Sequence, residues 1–122
     1  MIPKVQLAPD YAVSQLLVGG WQLQNRGDDA IEDLLQLSRL GITAYETSDT
    51  YSNGQSLLGR FLSKARQSLP SEKFSDIQIH TRYTAPTAGA APSKATIVAS
   101  VDRSLRELNI PRLDLLQLQW WN

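Results

Sequence analysis

Glu46, Arg82 and Gln119 each close a short apolar run in a chain otherwise poor in reactive groups. A carboxylate and a guanidinium can form an ion pair, and a carboxamide beside them can donate and accept hydrogen bonds. The chain has no Cys and a single His, which excludes disulfides, thiolate chemistry and a Cys/His metal site. His80, with no second His or Cys to complete a site, reads as a satisfied interior histidine.

Side-chain alternation says how such residues could meet. In the run around Ile77 and Ile79, Gln78, His80 and Arg82 take the opposite face; Gln117 and Gln119 oppose Leu116 and Leu118; Glu46 has the parity opposite to Tyr45. One face is aliphatic and can pack under helices. The other gathers Glu46, Gln78, His80, Arg82, Gln117 and Gln119, a costly set to bury in a flat two-sided sheet but one suited to the interior of a barrel around a polar site. Glu46, Arg82 and Gln119 come last in their strands, which puts them at the carboxyl ends, where parallel α/β folds bind ligands.

The elements that must hold them are legible. Strands are predicted over 16–18, 43–46, 77–81 and 113–119. Leu57, Leu58, Phe61, Leu62, Ala65 and Leu69 form a helical stripe between Asn53-Gly54 and Pro70. A second stripe, Ile97, Val98, Val101, Leu105 and Leu108, opens at Ser93 as N-cap and closes at Asn109-Ile110-Pro111. A third helix runs from Asp28-Asp29 to Leu40, with Asp29 and Glu32 as a variant capping box and Gly41 as the left-handed stop. Strands alternating with amphipathic helices imply parallel strands joined by right-handed crossovers, an α/β fold. The small-residue segment 84–92, containing Pro86, Gly89 and Pro92, is expected as a mobile loop at the same edge.

At 122 residues the chain makes one domain at most. Its 12 basic and 12 acidic residues sum to zero formal charge, against nucleic-acid or membrane-surface partners. There is no apolar run of about 18 residues, and Met1-Ile2-Pro3-Lys4 does not resemble a secretory leader, so a cytoplasmic setting is expected. Charges such as Glu32 with Gln36 and Arg103 with Glu107 read as solvated helix faces. Trp120 and Trp121 are open to stacking on a ligand, to burial at a rim or to an interface. Gly19-Gly20 is followed by Trp21, not by spaced glycines, and no Gly-Lys-Ser/Thr occurs, so Rossmann and P-loop fingerprints are absent.

Several linked motifs, in order along nearly the whole chain, resemble the N-terminal half of the aldo-keto reductases. They are Gly19-Gly20-Trp21-Gln22, the stretch 41–62 with Tyr45-Glu46-Thr47-Ser48-Asp49-Thr50-Tyr51, His80-Thr81-Arg82, the helix 100–108, and Arg112 to Trp121. The resemblance implies the first four strands and three helices of a (β/α)8 barrel, a truncated half-barrel, as a partial domain over residues 1–122. It implies reduction of a small-molecule carbonyl with NADP(H) and no metal. It places the proton-donating Tyr at Tyr51, and puts Glu46, Arg82 and Gln119 where the family has Asp, Lys and His. Gly19, Gly20 and Trp21 would touch the nicotinamide end of the cofactor, Trp21 also lining the substrate mouth.

Three departures in one constellation imply impaired turnover, because Arg is a rigid fork larger than an ammonium and Gln carries no charge. A full barrel needs roughly 250 residues, and the family's adenosine-phosphate contacts come mostly from its last two strands. Two expectations follow: a weak or inactive reductase, or a non-catalytic interaction module that self-associates or pairs with a complementary C-terminal half.

Overall fold

The computed structural model describes residues 1–121. An antiparallel hairpin comes first, β1 (Lys4–Ala8) and β2 (Tyr11–Ser14). It is followed by β3 (Leu17–Gly19), one 3₁₀ turn at Trp21–Leu23, α1 (Asp29–Arg39), β4 (Ala44–Glu46) and α2 (Gly54–Ser68). A short α3 (Ser71–Ser75), β5 (Gln78–Thr84), α4 (Lys94–Leu108) and β6 (Leu115–Gln119) complete the order. β3, β4, β5 and β6 lie side by side in that sequence, all parallel. The α/β expectation of four successive barrel strands with three long crossover helices therefore holds, each main element lying within a few residues of its predicted span.

The core sits between the outer face of the sheet and the helices. Leu58, Phe61, Leu62 and Ala65 of α2 are buried against Leu34 and Leu35 of α1, Tyr45 and Ile79 of the sheet, and Leu108 of α4, and Leu57 of α2 is buried as well. Burying each large apolar side chain stabilises by roughly 1.5–3 kcal/mol. The Tyr45 ring stands 4.9 Å from that of Phe61, and its hydroxyl meets Ser38 Oγ at 2.5 Å, so the polar tip is satisfied inside the core. Desolvation pushes the Tyr45 phenol above its ordinary pKa, partly offset by that hydrogen bond.

Helix ends follow the sequence with one correction. Ser93 Oγ accepts from the Thr96 amide at 3.1 Å, Asn109 closes α4 in the left-handed region at φ 54°, and Gly41 follows α1 at φ +103°. Asp29, by contrast, lies inside α1, and Asp28 occupies the N-cap position without a side-chain cap. Arg26 holds Asp29 at 2.6 Å and Arg60 holds Asp28 at 2.7 Å, so both carboxylates are engaged by arginines at the start of the helix.

Other differences have equally local causes. β5 runs on to Thr84 because β6 keeps pairing with it, Thr84 opposite Gln119; Arg82 is thus two residues short of the strand end, not last in it. The hairpin was not legible because Val5 and Leu7 stay exposed and give no buried period. Leu116 and Leu118, expected under a helix, are 44% and 60% exposed, since among the described residues no helix crosses β6. Val98, Trp120 and Trp121 are also exposed. Glu107 does not pair with Arg103; Gln55 donates to it at 2.7 Å.

α2 and α4 approach closely at Gly59, where an added Cβ would stand 2.4 Å from the Glu107 carbonyl oxygen. Gly59→Ala is expected to force the helices apart and lower stability by about 1–3 kcal/mol in urea denaturation; an unchanged midpoint would show that the contact is slack.

Candidate active site

The sheet ladder fixes where the inner-face side chains stand. Ala44, Tyr45 and Glu46 pair with Gln78, Ile79 and His80, so β4 ends level with His80 and Arg82 rises beyond it. The lower part of the inner face is closed by the hairpin. Gln78 donates to the Ala12 carbonyl at 2.7 Å and accepts from Thr43 Oγ1 at 2.9 Å. Ser14 Oγ accepts from the Thr43 amide at 3.0 Å. His80 Nε2 and Tyr11 Oη share a 2.7 Å hydrogen bond. His80 is therefore the satisfied interior histidine expected of it.

Above this floor, Arg82 gathers the predicted residues. Its Nη2 donates to Glu46 Oε1 at 2.6 Å and to Tyr51 Oη, and its Nη1 donates to Gln119 Oε1 at 2.9 Å. The guanidinium carbon also lies 5.2 Å from the Tyr51 ring centroid. The other carboxylate oxygen of Glu46 accepts from the Gly20 amide at 3.2 Å. Side-chain exposure of 24% for Arg82 and 17% for Glu46 leaves the pair partly desolvated, a setting in which charge-assisted bonds count for more than at the surface. Because Gln119 offers its oxygen to Arg82, its two N–H donors are turned away from the guanidinium. Arg82 Nε is buried with no partner.

The glycine–tryptophan segment divides. Gly20 brings β3 against β4 so tightly that a Cβ would meet the Glu46 carbonyl oxygen at 2.4 Å, and its N–H is already engaged by Glu46. Gly19 has open space where a Cβ would be. Trp21, 65% exposed, sets its ring edge-on to Tyr51 with centroids 5.6 Å apart. The structure thus brings Tyr51, Glu46, Arg82, Gln119, Gly20 and Trp21 together, with Gly19 beside them. Gln117 is on the same strand face but exposed.

Sequence reasoning missed the residues that hold the loops. Asp49 donates its amide to the Arg82 carbonyl at 3.2 Å and accepts the Thr84 amide on its carboxylate at 3.1 Å, extending the β4 edge across the top of β5. The Asn25 amide donates to Asn53 Oδ1 at 2.6 Å, and Ser52 Oγ donates to Asn25 Oδ1 at 2.9 Å. These staples tie the turn after Trp21 to the loop after Tyr51. The signals available in the sequence were the Asn25 turn residue and the acid–hydroxyl run 47–50; Asn25 takes a positive φ of 70° in the structure. Among the described residues no group of three His, Asp or Glu could hold a metal, and no helix is long and apolar enough to cross a membrane.

Four parallel strands with a tyrosine, an acid, a cation and an amide at their upper ends match the first four strands of a (β/α)8 barrel. The aldo/keto reductase family model matches residues 15–122, and the chain belongs to that family. The holo form of an aldo-keto reductase from Bacillus halodurans is similar, with 29% identity and a TM-score of 0.78, over 97% of this chain and 40% of that one. A Pseudomonas aeruginosa protein assigned to the same family has 27% identity and a TM-score of 0.74, over 94% of this chain and 45% of that one. The Bombyx mori aldo-keto reductase, solved in complex with NADP, shares the fold at 15% identity and a TM-score of 0.73, over 94% of this chain and 37% of that one. The chain thus spans less than half the length of each of these structures. No curated protein matches the sequence.

Burial holds the His80 imidazole below its ordinary pKa, against smaller upward pulls from Asp114 and Glu46. The unfolded chain then takes up a proton at higher pH than the folded one. Stability contributed by neutral His80 is present above about pH 6.5 and lost as pH falls below it. The urea midpoint is expected to drop between about pH 7 and 5, and to drop less in His80→Gln; equal drops would rule His80 out as the titrating group.

Proposed function

We propose that this chain carries the proton-donating half of an NADP(H)-dependent carbonyl reductase site, and that its turnover is slow. The observation that carries this reading is the bridge from Arg82 to Tyr51, Glu46 and Gln119. In it, the Tyr51 hydroxyl gives its proton to the oxygen of a small-molecule carbonyl. The guanidinium already lies against the oxygen that becomes negative, so it stabilises the phenolate as it forms. Glu46 holds Arg82 at the correct height. The free N–H donors of Gln119 orient the carbonyl, and Trp21 forms the wall beside Tyr51.

The residues fit only one end of the cofactor. Open space beside Gly19 and the exposed face of Trp21 suit a flat ring; the Gly20 amide, occupied by Glu46, offers only its Cα to that ring. Gly19, Gly20 and Trp21 would hold the nicotinamide end of NADP(H), which when bound supplies the hydride. Slow turnover follows from the substituted positions. Arg82 is a rigid, always-charged fork with both N–H bonds of Nη2 committed to Glu46 and Tyr51, and Gln119 can orient a carbonyl but carries no charge to polarise it.

Titration with NADPH, read through the fluorescence of the three Trp residues, is expected to show quenching within the millimolar range; a flat signal would remove cofactor binding from this chain. Turnover, where measurable, should fall by about 100-fold or more in Tyr51→Phe. Combined Glu46→Asp, Arg82→Lys and Gln119→His in a completed barrel should raise it, whereas no gain would mean that Tyr51 does not donate the proton.

A second reading, an interaction module that buries its open face against a copy of itself or against a complementary C-terminal half, draws on the exposed Leu116, Leu118 and Trp120 at β6. It predicts self-association in gel filtration, and a clean monomer would count against association with a second copy.

A further inference from the structure

Tyr51 and Arg82 meet above the level at which β4 ends, so their separation depends on what supports the upper part of β5. β4 supports β5 only as far as His80, opposite Glu46. Above that level the neighbour of β5 on this side is the loop 47–53, joined through Thr47 N to the His80 carbonyl at 2.9 Å and Asp49 N to the Arg82 carbonyl at 3.2 Å. The far face of β5 carries a third tie. Thr81 Oγ1 donates to Gln55 Oε1 at 2.8 Å, and Gln55 Nε2 donates to Glu107 Oε2 at 2.7 Å. Thr81 is fully buried and Gln55 is 1% exposed, so this is a polar relay through the helix–sheet interior.

Its sequence positions give it leverage. Thr81 immediately precedes Arg82, and Gln55 is the second residue of α2, four after Tyr51. Between them, Gly54 is packed so closely that an added Cβ would stand 3.0 Å from both Thr47 Oγ1 and Tyr51 Cβ, which makes the Tyr51 turn and the start of α2 one stiff unit. Gly59 allows the α2–α4 approach that brings Gln55 within reach of Glu107. A leucine would fill the Gln55 site without any need for partners. A buried amide instead accepts one geometry, because each of its polar atoms must be satisfied.

We infer that Gln55 is a positioning residue: with Thr81 and Glu107 it fixes the height of upper β5 against the start of α2, and so holds Arg82 Nη2 against Tyr51 Oη. This inference rests on the proposed role of that pair, but its geometry can be tested without turnover. A Thr81→Val change removes the donor while keeping the shape. Gln55→Leu removes the relay and keeps the burial.

The experiment is NMR on the isotope-labelled 122-residue chain, comparing proton contacts between the Tyr51 ring and the Arg82 side chain with those between Tyr45 and Phe61, which report the core. The wild type should show both. Thr81→Val and Gln55→Leu should keep the Tyr45–Phe61 contacts and lose at least half the Tyr51–Arg82 intensity, with the exchange Gln55→Glu and Glu107→Gln, which keeps an acceptor for Thr81 and reverses the second hydrogen bond, restoring part of it. Either variant with an intact core and full Tyr51–Arg82 intensity overturns the inference. Loss of the core contacts in both Thr81→Val and Gln55→Leu overturns it too, making the relay a folding element only. A wild type lacking the Tyr51–Arg82 contact would sink the site geometry as well. Absence of NADPH binding in a chain that behaves as expected here would sink only the proposed reaction.

Discussion

The guanidinium of Arg82 reaches side chains from three other segments: Glu46 at the end of β4, Tyr51 in the loop before α2, and Gln119 at the end of β6. Each partner could satisfy itself with water if the strands drifted apart. It is the planar, forked donor set of arginine that makes one arrangement satisfy all of them, and a lysine ammonium in its place would act as a point charge on a flexible stem. The constraint runs both ways. The strands must stay in register for the bridge to form, and the bridge in turn favours that register.

Two layers supply the stiffness behind it. Outside the sheet, Tyr45, Phe61 and the leucines of α1 and α2 pack into a dry core. Inside, the hairpin closes the floor through Tyr11–His80 and Gln78–Ala12, and desolvation there pushes the Tyr11 phenol above its ordinary pKa. The remaining freedom lies at the upper edge, where β4 has ended and Asp49, Asn25 and Asn53 act as hydrogen-bonded staples.

Much of this was legible in residue order, because it depends on periods that burial imposes. The α2 stripe is buried as its spacing predicts, and strand parity placed Glu46, His80, Arg82 and Gln119 on one face. What was not legible depends on partners distant in sequence. Asp29 matches a capping pattern, yet Arg26 takes it; Glu107 matches a surface pair, yet Gln55 takes it from 52 positions away. The hairpin was hidden because its apolar side chains stay exposed, and the end of β5 because it is set by its pairing with β6. Leu116 and Leu118 show the converse: a clear apolar period that no described helix covers.

Arg82 and Glu46 act as one unit in the fold and the site. A double-mutant cycle on stability, using Glu46→Gln, Arg82→Met and the two combined, measures that directly. The double variant is expected to be less damaged than the sum of the singles, with a coupling of about 1–3 kcal/mol, because each single change strands a partly buried charge. Strictly additive losses would mean that the two side chains do not depend on each other, and the bridge would no longer explain the site.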